Sequence, residues 1–199
     1  ASSGYGLVCE PTRLRVVHAH KGSMAMRVTS RGKSAHTSSL KGVNANMKMI
    51  PFLQQMKKLN EHVLSAKRFR NEEFNPPHSE LSLSINDRLL AMNVYPVESE
   101  CRLAYRIMPG IDVKAIQARV RACAREHGLK FELLSQSTPV YTDPDSQFVR
   151  TALKISGMRK ARTVAYGTDG VQYVKKMKQL VILGPGDIAQ AHTVDEWIE

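Results

Sequence analysis

Two residues suited to metal chemistry stand at the ends of apolar runs. His192 follows the apolar run 180–183, which reads as a buried strand, and the break Gly184-Pro185-Gly186. Glu10 follows a second short run, 6–9, and precedes Pro11, which cannot continue a sheet ladder. A carboxylate and an imidazole at strand ends sit on the rim where loops converge outside a packed sheet, and open α/β sheets bind their ligands there. Zinc accepts both ligand types. His18 and His20, at i and i+2 of a strand, form a second pair that would share one face, with no third ligand close in sequence. Any of these histidines taken alone has an ordinary structural explanation, so the elements that must position them carry the argument.

The run 14–20 reads as a strand, and 23–30, with Met24, Met26 and Val28 alternating, as another. Residues 44–67 form a long amphipathic helix that Pro51 should bend or break, because proline lacks an amide hydrogen. A polar loop with prolines, 71–78, leads to strands 81–85 and 100–107. A helix over 112–126, capped by Asp112 and ended by Gly128, and a strand 129–134 complete the unit. The order β-α-β-β-α-β is the ferredoxin-like arrangement, spanning 22–136. Beyond it, Thr142-Asp143-Pro144 should cap a helix to Ser156, strands are expected at 162–165 and 180–183, Thr168 should cap a helix through Lys176, and Asp195 and Glu196 should begin another. That alternation predicts a parallel α/β layer, incomplete even with the strands of 6–20 added. The predicted class is α/β: segments 1–21 and 137–199 in one layer, with the ferredoxin-like unit 22–136 inserted between them.

The chain has 199 residues, 42% hydrophobic and 24% charged, an ordinary globular composition. No apolar run approaches the roughly 20 residues that span a bilayer, and no signal segment opens the chain, so the expectation is a cytoplasmic protein without a membrane partner. Three cysteines without C-x-x-C spacing exclude a disulfide framework or a zinc knuckle. The net charge of +11 calls for explanation. Solvated helix faces account for it, as does an acidic half lying elsewhere in a larger protein. A nucleic-acid module would display aromatics on its central strands; 101–107 offers only Tyr105, so no nucleic-acid partner is expected.

Six motifs occur in one order: Glu10-Pro11-Thr12; His20-Lys21-Gly22; Gly32-Lys33-Ser34-Ala35-His36; Gly42-Val43-Asn44-Ala45; Arg106-Ile107-Met108-Pro109-Gly110; and Gly184-Pro185-Gly186 through His192 and Glu196. Together they resemble the two-zinc amidohydrolase and peptidase family that contains acetylornithine deacetylase, succinyl-diaminopimelate desuccinylase, aminoacylase and glutamate carboxypeptidase. The resemblance implies a ferredoxin-like lid, which makes a homodimer, inserted in an α/β catalytic domain that holds two zinc ions, with cobalt or manganese as alternatives. It also implies residue roles: Glu10 and His192 each bind one metal, and His36 is the lid histidine that supports the oxyanion in the neighbouring subunit's active site. Asn93 and Arg106 grip the substrate's carboxylate and carbonyl, and Gly184 and Gly186 join them as substrate-binding positions.

The implied activity is hydrolysis of amide bonds in N-acyl amino acids or peptides, nearest the acetylornithine deacetylase branch. The pattern departs in three places. The family's Gly-Gly turn before the asparagine is replaced around 87–92, and Ala104 stands where the family has an acid two residues before the arginine. The His-x-Asp motif, the bridging aspartate and the Glu-Glu pair do not precede Glu10. The chain is therefore expected to be a fragment, lid plus C-terminal catalytic portion, inactive by itself; a catalytically inactive dimerisation fragment or family member is the alternative.

Overall fold

The structure, a computed structural model, describes residues 4–87 and 91–198. It contains two sheets. One takes strands β3 (Gly22–Arg31), β4 (Leu81–Asn86), β5 (Glu98–Ile107) and β6 (Lys130–Gln136) in the order β4-β5-β3-β6, with every neighbouring pair antiparallel. Helices α1 (Ala45–Ser65) and α2 (Val113–Glu126) pack on one face. This is the predicted βαββαβ order.

Alternation builds this unit. Along β5, Cys101, Leu103, Tyr105 and Ile107 are buried while Arg102, Ala104 and Arg106 face outward. Met24, Met26 and Val28 of β3 join them beneath Phe52 and Met56 of α1 and Ile116 and Val120 of α2. The caps are local chemistry: Asn44 accepts from the amides of Asn46 and Met47, and Asp112 from those of Lys114 and Ala115. Of the bend or break expected at Pro51, no break occurs: helix α1 runs unbroken from Ala45 to Ser65. The ring sits on an exposed face, and the buried side chains on either side, Met49 and Phe52, hold the helix against the sheet despite the lost amide donor.

The second sheet joins β1 (Tyr5–Val8), β2 (Val17–His20), β7 (Val140–Tyr141), β8 (Arg162–Val164) and β9 (Gln179–Ile182), ordered β1-β9-β2-β7 with β8 also on β2. It is mixed rather than parallel: β1–β9 and β2–β8 run parallel, β2–β9 and β2–β7 antiparallel. Strand β2, which leads directly into β3, runs antiparallel to β9 and parallel to β8. Helix α3 (Gln147–Ser156) covers one face through Val149 and Ala152, against Val16 and Val181.

Several boundaries differ from expectation: the strand expected over 14–20 begins at Val17. Ser146 caps α3, because Asp143 instead accepts from the amide of Asp145 and closes a turn through Pro144. Thr168 caps only a short 3-10 turn, Asp169–Gln172. No helix forms at 195–198, where the Glu196 carboxylate turns back to accept from the amide of His192.

Lys21 lies where the two sheets meet, 3% exposed, donating to the carbonyls of Pro76 and His78 and to Ser79 Oγ. Phe52, fully buried under α1, anchors the lid core. Phe52→Ala is expected to cost about 3–5 kcal/mol of lid stability, read from the midpoint of urea unfolding.

Candidate active site

Gly184 fixes where Glu10 stands. A Cβ on Gly184 would lie 2.5 Å from the carbonyl oxygen of Glu10 and 3.1 Å from its amide nitrogen, so the exit of β9 crosses the exit of β1 with no room for a side chain. Thr12, 1% exposed, ties the crossing: its amide donates to Gly184 O, and its Oγ1 accepts from Gly184 N. The amide of Arg13 donates to Gly186 O, and Gly186 takes the left-handed φ of +80° that the turn requires. Gly184 thus meets the Glu10 backbone and Thr12, and Gly186 meets Arg13, Pro11 and the Ile198 side chain.

The Glu10 carboxyl lies among charged neighbours. Partial burial pushes its pKa up, the nearby Asp169 carboxylate pushes it further, and the Asp169 backbone N–H and His192 act in the opposite sense. Asp169 and His192 are thus near enough to Glu10 for their charges to act on its carboxyl. His192 is exposed and has a left-handed φ of +65°, uncommon for a residue with a Cβ. Tyr166 borders the same spot; burial raises its pKa, Arg162 opposes this, and Glu10 adds to it.

Asp169 and Tyr166 were not read as site residues from the sequence. The Thr168-Asp169-Gly170 run after β8 was the available signal, since it too follows a strand of the same sheet.

His18 and His20 do not form a metal pair. His18 Nδ1 donates to Thr142 O at 2.9 Å, and His20 Nδ1 to Lys21 O at 2.9 Å. The second bond leaves His20 Nε2 to accept from Thr168 Oγ1 at 3.0 Å, while that oxygen accepts from the amide of Gly170 at 3.1 Å. His20, fully buried, therefore anchors the loop that carries Asp169 to Glu10.

Arg106 comes to the same loop from the lid: its Nη1 would lie 3.9 Å from a Cβ on Gly167. Its closeness is also felt by Lys21, whose pKa is lowered by burial first and by Arg106 second. Among the described residues Arg106 has no salt bridge.

His36 and Asn93 stand elsewhere. The amide of Thr37 donates to Asn93 O at 2.9 Å, and His36 bridges Val94, so the two share one exposed loop pair beyond Arg31. Gly22 pairs with Ile107 and Arg31 with Glu98, so the length of β3, about 30 Å, separates this pair from Arg106. The amide of Ser38 donates to His36 Nδ1, which places the neutral ring's proton on Nε2, an outward-facing donor. Residues 88–90, inside the stretch that replaces the Gly-Gly turn, lie outside the described residues.

The family model for the peptidase dimerisation domain matches residues 18–132. The chain belongs to the M20 metallopeptidase family. Acetylornithine deacetylase of Proteus mirabilis is 29% identical over 203 residues, covering 98% of this chain and 51% of that protein. The enzyme of the same name from Myxococcus xanthus is 28% identical over 202 residues, covering 98% and 52%. The chain thus spans about half the length of the curated relatives it matches. Among solved structures, aminopeptidase PepT from Bacillus cereus superposes with a TM-score of 0.67 at 18% identity, over 94% of this chain and 49% of that one. Human carnosine dipeptidase 1 gives 0.60 at 12% identity, over 96% and 54%. These two share the fold.

Burial lowers the pKa of His20. Below about pH 6.5 the unfolded chain takes up a proton there that the folded chain refuses. Stability from this group is therefore complete above that pH and falls as pH drops toward the folded value. His20→Gln keeps an acceptor near Thr168 and removes the titration. The difference in unfolding free energy between the parent and this variant is expected to shrink from pH 7.5 to 5.5, as followed by urea melts.

Proposed function

We propose that the protein carrying this chain is a metal-dependent hydrolase of amide bonds in N-acyl amino acids, working as a homodimer in the manner of acetylornithine deacetylase. The observation that carries the reading is that Glu10 leaves β1 beside the exit of β9, within electrostatic reach of His192, with Arg106 approaching the Gly167 loop. In this reading residues 22–136 are the lid, and 1–21 with 137–199 are the catalytic segments.

Glu10 Oε and a His192 ring nitrogen would hold zinc, each a donor that zinc accepts. Zinc, when bound, supplies Lewis acidity toward an amide carbonyl. Among the described residues no group of three or more His, Cys, Asp or Glu side chains is gathered in a metal-holding arrangement. A two-metal centre with three or so ligands per ion needs donors beyond Glu10 and His192.

Arg106 would bind the substrate carboxylate, since its planar fork matches the two oxygens and no protein carboxylate competes for it among the described residues. His36 is too far from its own chain's Glu10 to act there, and its Nε2–H is a suitable donor to a developing oxyanion. A second copy, joined through a lid edge strand or helix, would bring it to the centre, with Asn93 beside it. Relatives named acetylornithine deacetylase support the N-acyl amino acid substrate.

The full-length protein is expected to cleave N-acetylornithine faster than dipeptides. Arg106→Ala is expected to raise KM, and His36→Ala to lower kcat by roughly a hundredfold. Mixing inactive Glu10→Gln with inactive His36→Ala protein should restore up to a quarter of the activity, because a heterodimer keeps one intact composite site. Faster dipeptide turnover would reassign the substrate, and mixing without rescue would remove the second copy from the mechanism.

The 199-residue chain alone is expected to bind at most one zinc, weakly, with background turnover. Calorimetric titration showing two tight sites would overturn that.

A further inference from the structure

The chain's charge is not spread evenly. Residues 45–70 and 113–126, which carry the helix layer of the lid, hold ten Lys and Arg against two Glu, a net +8 of the chain's +11. All ten cations are exposed. On the opposite, outer face of the lid sheet most cations are paired: Arg27 with Glu132 and Glu100, Arg31 with Glu98, Arg102 with Glu100, and Lys130 with Glu132, leaving Arg106 without a salt bridge among the described residues. The helix side of the lid therefore projects the stronger positive field.

A groove of about 580 Å³ opens on that side between α1 and α2. Two guanidiniums line it, and each is steadied by a partner that carries no negative charge. Arg68 donates through Nη2 to His62 Nε2 at 2.8 Å and lies 4.8 Å from the centre of the Phe69 ring. Arg119 donates through Nη2 to Gln55 Oε1 at 3.3 Å. Lys58 adds a third cation, and Leu59, Phe69 and Ile116 contribute apolar surface. The one acid in the lining, Glu126, accepts from Gln55 Nε2 at 3.4 Å.

We propose that this groove is a binding site for a soluble phosphate monoester with a compact apolar body, separate from the Glu10 and His192 centre. Two oriented guanidinium forks with an ammonium beside them match a dianionic phosphate. The apolar lining takes the organic part, and the volume falls in the range of small-ligand sites. Arg106 lies on the outer face of the sheet and the groove on the helix face, so the substrate proposed above does not reach it. A diffuse attraction for polyanions would use all ten cations alike. The groove instead singles out Lys58, Arg68 and Arg119.

The test uses phenyl phosphate as probe with the full-length protein, by calorimetry at physiological salt. Saturable binding is expected, with inorganic phosphate weaker by about tenfold because it leaves the apolar lining unused. Arg68→Gln, Arg119→Gln and Lys58→Gln should each weaken phenyl phosphate by roughly tenfold, at unchanged melting temperature. Arg121→Gln and Arg125→Gln, which lie on α2 but do not line this groove, should leave it within about twofold. No saturable binding would overturn the proposal. So would equal losses from all five variants, or capture by phosphatidic acid vesicles or a short DNA duplex that phenyl phosphate does not compete away.

Discussion

The backbone crossing at Gly184 is the constraint on which the placement of Glu10 depends. Strand β1 pairs with β9 in parallel, Val8 beside Ile182, and both chains must then leave the sheet at the same end. They pass because Gly184 has no Cβ, and Thr12 closes the crossing with its amide and hydroxyl. Glu10 is therefore held from behind by main chain rather than by its own side-chain contacts. Its carboxylate is left within reach of the Asp169 backbone N–H and the charges of Asp169 and His192. A larger residue at 184 would displace backbone, not a rotamer, and would move the carboxylate with it.

Strand β3 performs the opposite task, keeping groups apart. Its ten residues pair with all of β5 and lie across the lid core, so the His36 and Asn93 loops cannot fold back toward Arg106. A rigid spacer of this kind makes sense when functional groups are meant for different centres. It places Arg106 at the join with the five-stranded sheet and presents His36 at the far end, exposed.

Much of the lid was legible because its information is local. Alternation in β3 and β5, and the caps at Asn44 and Asp112, are set by residues within a few positions of one another. The five-stranded sheet was less so. Its mixed directions, with β2 antiparallel to β9 and parallel to β8, are a matter of strand pairing that no hydrophobic pattern records. Ser146, Pro144 and Asp143 offered competing helix starts, and the Asx turn at Asp143 decided between them. Glu10 and His192 were readable as strand-end residues. Asp169 was hidden, since its nearness to Glu10 depends on β8 lying beside β2 and on His20 holding Thr168.

Lys21 links the two halves of this arrangement. An ammonium group buried without partners would cost several kcal/mol, and burial does lower its pKa. The loop after α1 offsets that cost with two carbonyls and a hydroxyl, and Phe74 adds its ring 5.8 Å from Nζ. An apolar residue here would fill the space but leave those acceptors without their donor, so the loop would lose its reason to stay. Because Lys21 stands between His20, which anchors the Asp169 loop, and Gly22, which opens β3 opposite Ile107, the same few residues set the Asp169 loop and the register of the strand beside Arg106. The placement of Arg106 beside the Gly167 loop thus depends on a polar clamp at the joint as well as on the hydrophobic core of either sheet.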